Sequence, residues 1–409
     1  MINNLTPIDM KHFKFLFALV IGWMAGNTVI SAAVGDTFAA ANPDGVNITY
    51  KVLTEEGATG TVQVGIGDYY GPAITATKEM EIDGYNYEVF DIPEGELVIP
   101  QTVSNGDVTY TVTAIGDYAF YEKGKTLTAI SIPSTVTEIG EHAFGYSNLQ
   151  HVTLPNALVS IDDNAFNDCT ALEAIDIPQS VSTLGSSCFS GCSQLASVTL
   201  HAGNLTQIAY GVFYRCGITS IDIPAGVTNI GSSAFYGCSS LQSVTLPDGL
   251  NSIGSSAFSG CEALQALDIP SSVSELGQSF IEDCAQLATV TLHEGNLTEI
   301  SGYAFWNSGI TSITIPERVK YIREGAFMNC TSLKTAFIPS TVSSIGLYAF
   351  YQCNVLEEVT ITCDNTPTLP YRSDWVFSNS NGKVNKLKIP WAVTLIVVLN
   401  LYSHLGKRY

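Results

Sequence analysis

Apolar residues recur along most of this chain at two nested intervals. In a segment such as Leu241 to Cys261, LQSVTLPDGLNSIGSSAFSGC, the residues Leu241, Val244 and Leu246 follow the spacing L-x-x-V-x-L. That spacing puts Val244 and Leu246 on one face of a strand. Pro247 ends the strand, because proline has no N–H to give to a ladder. Leu250 and Ile253 fill the next side, Gly254 permits a tight corner, and the Ser-started Ala-Phe stretch from Ser255 to Cys261 predicts a helical turn. The whole unit then repeats. Ile132-Pro133, Leu154-Pro155, Ile177-Pro178, Ile223-Pro224, Leu246-Pro247, Ile269-Pro270, Ile315-Pro316 and Ile338-Pro339 recur at steps of 22 or 23, doubled where His201 and His293 replace proline. Phe120, Phe144, Phe166, Phe189, Phe213, Phe235, Phe258, Phe305, Phe327 and Phe350 keep the same beat, with Ile281 standing in once.

One coil of this length cannot bury its own apolar face, whereas stacked coils share a continuous core. Eleven coils of about 23 residues over 113–363 therefore predict an α/β solenoid with a parallel β-sheet on one side, ~48 Å long over ten coil steps. Residues 174 to 231 align without gaps on 266 to 323, so that LHAGNLTQI matches LHEGNLTEI four coils later. A block of four coils has been duplicated. Alternating segments such as Val46 to Leu53 and Thr61 to Ile66 predict a small N-terminal β cap over 34–112, since an open solenoid edge invites unwanted pairing.

The unit I-P-x-x-V-x-x-I-G-x-x-A-F-x-x-C, as in Ile223 to Cys238, resembles the leucine-rich repeat of the BspA-like bacterial surface proteins over about 115–363. Glu96 to Phe120 resembles the hairpin that leads into the repeats of that family, with Asn105-Gly106 as its turn. The resemblance implies a leucine-rich repeat solenoid, secreted or displayed on the cell surface, that adheres to host or matrix proteins or to other cells. A glycan-binding surface module and a purely structural spacer are the alternatives. The stretch after Pro390 departs from the family pattern, which leaves 364–409 as a C-terminal cap or tail.

Export fits the amino end. Lys11 and Lys14 precede the apolar run Phe15 to Ala25 and small residues through Ala33, the three-part pattern of a signal peptide over 1–33. That run, like Trp391 to Tyr402 near the other end, is shorter than the about twenty residues a bilayer span needs, so no membrane span is expected in the mature protein. The net charge of −21, from 38 acidic against 17 basic side chains, disfavours a nucleic-acid partner. Between Thr126 and Pro316 sixteen carboxylates face one basic residue, Arg215.

Candidate chemistry is sparse. Cys169, Cys192, Cys216, Cys238, Cys261, Cys284, Cys330 and Cys353 each stand three residues after the Phe position, so they stack in successive coils. The expected coil spacing of ~4.8 Å exceeds the ~3.8 Å between Cβ atoms in a disulfide, which predicts buried free thiols. Cys188 and Cys192 alone have a short spacing, and no His accompanies them as a zinc site requires. His201 and His293 are explained by repeat copying, and Gly65, Gly67 and Gly71 do not form a phosphate loop. No catalytic, cofactor-binding or metal-binding residues are expected, and the chain reads as non-enzymatic.

Two surfaces remain. The outward row of the sheet is Ser131, Thr153, Asp176, Thr199, Asp222, Thr245, Asp268, Thr291, Thr314, Phe337 and Thr360, where Asp alternates with Thr and keeps like charges roughly 10 Å apart. On the Ala-Phe edge, Trp306, Met328 and Tyr351 follow the ladder Phe in three successive coils, and Tyr303 and Tyr348 stand three residues before two of them. Arg318, Lys320 and Arg323 lie in the connecting coil, so aromatic and cationic groups of the types that dominate hot spots are expected to converge there on an extracellular protein or cell-surface ligand. The competing expectation is that these rings pack on one another or against the tail around Trp391.

Overall fold

The computed structural model describes residues 33–56, 58–65, 78–82, 85–89, 95–122, 127–362, 376–377 and 386–388. The expected signal peptide, apart from Ala33, and the apolar run from Trp391 lie outside these residues. Most coils open on a strand in which buried Val, Ile or Leu alternates with exposed Ser, Thr or Asp, as in Ala174–Ile177. Ala174–Ile177 pairs parallel with Ser197–Leu200, and Ala266–Ile269 pairs parallel with Thr289–Leu292. In both cases Asp faces Thr across the rung, as the alternation requires. Beyond the proline comes a turn, held for example by the Val181 N–H on the Pro178 carbonyl at 3.0 Å. A second strand of two residues follows. Ser252–Ile253 pairs parallel with Asn229–Ile230 and with Glu275–Leu276. Parallel ladders therefore run along two sides of the solenoid, where the sequence led us to expect one.

The third side overturns the expected helical turn and with it the α/β label. No helix occurs among the described residues. In the coil around Phe258, the N–H groups of Ser256, Phe258 and Gly260 donate to the carbonyls of Gln278, Phe280 and Glu282 in the next coil, at 2.9, 2.7 and 2.7 Å. The intervening N–H groups of Ala257, Ser259 and Cys261 donate three residues back within their own coil. A helix needs every N–H for itself, so this alternation excludes one. Two residues per coil take left-handed backbone to aim the alternate groups outward, here Ser256 at φ 54° and Gly260 at φ 72°. Among the described residues seventeen non-glycine residues stand at such positions, each at a steric cost on the order of 1 kcal/mol. The hydrogen bond to the next coil offsets that cost.

At the amino end, Thr37–Ala41, Asn47–Glu56 and Thr59–Val64 pair antiparallel in that order. Thr59–Val64 then pairs parallel with Val108–Ile115, which pairs with Glu138–Ile139, so these strands continue the short-strand ladder of the coils. The hairpin of Thr102–Asn105 with Val108–Ile115 turns over Gly106 and Asp107, one residue later than Asn105-Gly106. Gly106 supplies the positive φ of 62° that the turn needs. At the other end the pattern outlasts the expected boundary at 363. Lys386–Lys388 pairs parallel with Glu358–Ile361, the Phe350 N–H donates to the Val376 carbonyl at 2.9 Å, and the Phe377 ring stacks on Phe350 at 5.2 Å. A Phe ladder and a parallel strand thus both continue into a further turn.

The core is one cluster running the length of the molecule. Its spine is the Phe ladder, with ring centroids 5.0–5.8 Å apart from Phe120 to Phe258 and planes tilted by 20° or less. The stack breaks once. Ile281 takes the Phe position and Phe280 the Ala position, and the Phe280 ring meets Phe305 edge-on at 85°. Phe235 is fully buried between Phe213 at 5.5 Å and Phe258 at 5.1 Å. Phe235→Ala is expected to lower unfolding stability by about 3 to 5 kcal/mol, measured by denaturant titration, and a loss under about 1 kcal/mol would mean the ring is not core.

Candidate functional site

The left-handed positions decide what the Ala-Phe edge displays. Tyr303 and Tyr348 occupy the position two before the ladder Phe, at φ 56° and 58°. Their rings meet the side chains three residues on: Tyr303 lies 5.8 Å from Trp306, and Tyr348 lies 5.3 Å from Tyr351 in an edge-on pair. Trp306, Met328 and Tyr351 hold equivalent places in successive coils, for their carbonyls accept the N–H groups of Asp283, Asn307 and Asn329 at 2.9, 3.0 and 2.7 Å. All five side chains are half-buried, so ring packing and solvent exposure coexist here. Gly325 makes the room. A Cβ at that position would meet the Tyr303 ring at 2.4 Å, so only glycine lets the ring lie across the next coil. The Tyr303 hydroxyl donates to Glu324 Oε1 at 2.9 Å. Burial and then that bond raise its pKa above the ordinary value.

Beside these rings runs a polar ladder. Asn329 Nδ2 donates to Asn307 Oδ1, and Asn307 Nδ2 donates to Asp283 Oδ1, both at 2.7 Å. The cations go elsewhere. Arg323 donates through Nε and Nη2 to Glu299 Oε2 at 3.1 and 2.6 Å, and its guanidinium covers the Tyr321 ring at 4.7 Å. Arg318 is exposed and reaches the Gly295 carbonyl at 3.5 Å, and Lys320 is exposed. The cations are thus held on the side of the turn after proline and of the short strands. Glu299, Tyr321 and Glu324 were not singled out from the sequence. Their signal was the corner itself, where Ser301 and Arg323 replace the glycine found at Gly231, Gly254 and Gly277.

On the sheet face, His201 Nε2 lies 2.7 Å from Asp176 Oδ1 and His293 Nε2 lies 2.8 Å from Asp268 Oδ1. Both pairs are exposed, and they sit four coils apart in the duplicated block. Among the described residues no group of three or more His, Cys, Asp or Glu is placed to hold a metal ion.

The cysteines are bound into the core. Nine described cysteines are free and buried. Eight of them sit three residues after the Phe position, and each of these donates its S–H to the ladder Phe carbonyl of the preceding coil, as in Cys169 to Phe144 at 3.1 Å and Cys238 to Phe213 at 3.0 Å. Ser147 and Ser308 fill the same position in two coils and contact the Sγ of Cys169 and Cys330 at 3.2 and 3.4 Å. Burial pushes the thiols of Cys238, Cys284 and Cys330 up to about 12.

The family model for the BspA type leucine rich repeat region matches residues 113–227, 206–334 and 320–398, in six copies. That is more than half of the chain, and it extends past 363 as the strand pairing does. Among solved structures, the pneumococcal vaccine antigen PcpA is 22% identical, with a TM-score of 0.55, over 91% of this chain and 97% of that one. A leucine-rich repeat protein from Bacteroides ovatus is 24% identical over 83% and 97%, with a TM-score of 0.45. A leucine rich cell surface protein from Faecalibacterium prausnitzii is 24% identical over 79% and 94%, with a TM-score of 0.40. The first likeness concerns the fold. No curated protein matches the sequence, and the family match indicates no enzymatic family.

The buried thiols predict an alkaline weakness. An unfolded thiol ionises near ~8.5, whereas the folded ones hold their protons to higher pH. Their contribution is therefore fully present below about pH 8.5 and is lost progressively as pH rises toward the folded values, since only the unfolded chain releases the protons there. Denaturant midpoints should fall over that range, and thiol reagents at neutral pH should label the eight ladder cysteines only after denaturation. Rapid labelling of most of them in the folded protein would contradict the assignment.

Proposed function

Since the chain belongs to the BspA-type leucine-rich repeat family, we infer that it is an exported surface protein that binds an extracellular protein partner through the Ala-Phe edge of its carboxyl-terminal coils. The observation that carries this reading is the run of Tyr303, Trp306, Met328, Tyr348 and Tyr351, half-exposed across three successive coils. Trp and Tyr supply contact area with few rotatable bonds, which is why they dominate binding hot spots. A left-handed backbone at Tyr303 and Tyr348 fixes the rings further. Arg318 and Lys320, exposed on the same coil as Met328, supply charge at the rim. The family supports a location at or beyond the cell surface. In this reading residues 1–33 direct export, and the antiparallel strands between Thr37 and Val64 act as the N-terminal cap. Among the described residues no helix is long and apolar enough to cross a membrane.

Changing Trp306, Tyr351 and Arg318 to Ala together tests the edge. Attachment to cells or immobilised matrix proteins should weaken by about tenfold or more, as loss of a hot spot does, with the melting temperature nearly unchanged. Full attachment by a folded variant removes the site. A large drop in melting temperature without a specific binding defect assigns the rings to packing.

A further inference from the structure

A groove of about 730 Å³ runs between the short strands and the turns of four successive coils, beside the aromatic edge. Its lining includes Glu275, Gln278, Glu299, Arg323 and Glu324, with the Tyr303 ring as the aromatic wall. The Arg323–Glu299 fork and the Tyr303–Glu324 hydrogen bond hold four of these six side chains in place before any ligand arrives. Arg323 spends two N–H groups on Glu299 and has three left to donate. We propose that this groove is a binding site for a neutral saccharide.

The lining chemistry selects that class. Three carboxylates against one guanidinium repel a polyanion, and a single ring offers too little apolar wall for a hydrophobic ligand. A sugar matches what is present: its C–H face stacks on an aromatic ring, and each hydroxyl both donates and accepts, as the carboxylates, the Gln278 amide and the guanidinium require. The volume lies in the range of small-molecule clefts.

The duplicated block carries the argument further, because it holds the same place in a second version. Thr183, Ser186, Gln207, Gly211, Gly231 and Ser232 stand where the groove has Glu275, Gln278, Glu299, Tyr303, Arg323 and Glu324. Over the same two copies Asp176 is retained as Asp268, Thr199 as Thr291 and His201 as His293 on the sheet face, while Asp222 becomes Thr314. The two copies differ at many positions, and within the groove the difference runs from uncharged, mostly small residues to mainly charged and aromatic ones. The corner is also altered. At Gly254 and Gly277 a Cβ would meet backbone of the preceding coil at 2.4 and 2.2 Å, yet Arg323 and Ser301 hold the same corner in their own coils. Asp162 and Ala209 also replace glycine at this corner, so the fold accepts a side chain there, and Arg323 uses the position to place a guanidinium beside the groove.

The groove shares Tyr303 with the protein-binding edge, and the test separates the two. The full chain is titrated with a panel of neutral di- to hexasaccharides, beside a Lys-rich peptide as the competing chemistry. A second protein carries Glu275→Thr, Gln278→Ser, Glu299→Gln and Arg323→Gly together, each installing what the first copy already tolerates at that place. Saccharide binding by the natural chain, weakened about tenfold or more in this variant with its melting temperature held, is the expected result. Tyr351 faces Tyr348 and not the groove, so Tyr351→Ala should leave saccharide binding intact whether or not it abolishes partner attachment. The proposal is overturned if no saccharide binds, if the fourfold variant binds as well as the natural chain, if Tyr351→Ala removes saccharide binding, or if the Lys-rich peptide binds in the groove in place of the sugars.

Discussion

Each coil depends on its neighbours for its hydrogen bonds as well as for its apolar cover. A unit of about 23 residues has too little surface to bury on itself, and its backbone leaves polar groups unpaired on every side. Three sides meet that demand in three ways, with a parallel strand, a two-residue bridge, and alternate N–H groups projected from the Ala-Phe turns. The last is the most demanding. It fixes two left-handed residues per coil and brings the ladder Phe rings to about 5 Å, so one spacing serves backbone and side chains alike. The cysteine answers the same demand in a smaller way: the Phe carbonyl accepts both the N–H of its own coil's Cys and the S–H of the next coil's Cys. That is a reason for Cys over Ala at this position, and Ser147 and Ser308 show that another short donor is tolerated there.

The period, the strand faces and the core were legible because each rests on residue type alone. Val244, Leu246 and Ile253 are apolar at fixed steps, and Pro247 stops a strand whatever surrounds it. The third side was not legible in that way. Ser255 to Cys261 carries the composition of a helical turn, and what prevents the helix is a set of carbonyls in the next coil, which no single repeat contains. A signal was present all the same: Gly, Asn, Asp and Ser gather two residues before and two after the Phe, the types that accept positive φ most readily. The far boundary was missed for a similar reason. Val376-Phe377 and Ile389-Pro390 repeat the Ala-Phe and Ile-Pro signals, but after a longer interval than 23 residues.

At the candidate edge the spacing of the aromatic row follows from the repeat, whereas the direction of the cations does not. Trp306, Met328 and Tyr351 are equivalent positions in a stack, so their adjacency follows from the repeat. Where a long side chain such as Arg323 turns depends on its neighbours in space. Glu299 sits one coil earlier and Tyr321 two residues before it, and both draw the guanidinium to the short-strand side. Tyr303 belongs to both surfaces, facing Trp306 along one side and lining the groove on the other.

Stacking also restricts where a solenoid can carry charge. Residues at one position of successive coils lie about one strand spacing apart, so a charge copied with the repeat meets its own kind. The sheet face avoids this by setting Asp opposite Thr, and the edge avoids it with the Asp283, Asn307 and Asn329 ladder, in which a neutral amide follows each acceptor. A charge of opposite sign one coil away is the other solution, and it needs both signs. Between Thr126 and Pro316 the chain has sixteen carboxylates and only Arg215, so the pairing solution is nearly closed to it there. Arg318, Lys320 and Arg323 reopen it in the coils that follow, and the Glu299–Arg323 pair is the result. Divergence into a recognition surface is therefore physically easiest in these coils, which also carry the half-buried Met328, Tyr348 and Tyr351.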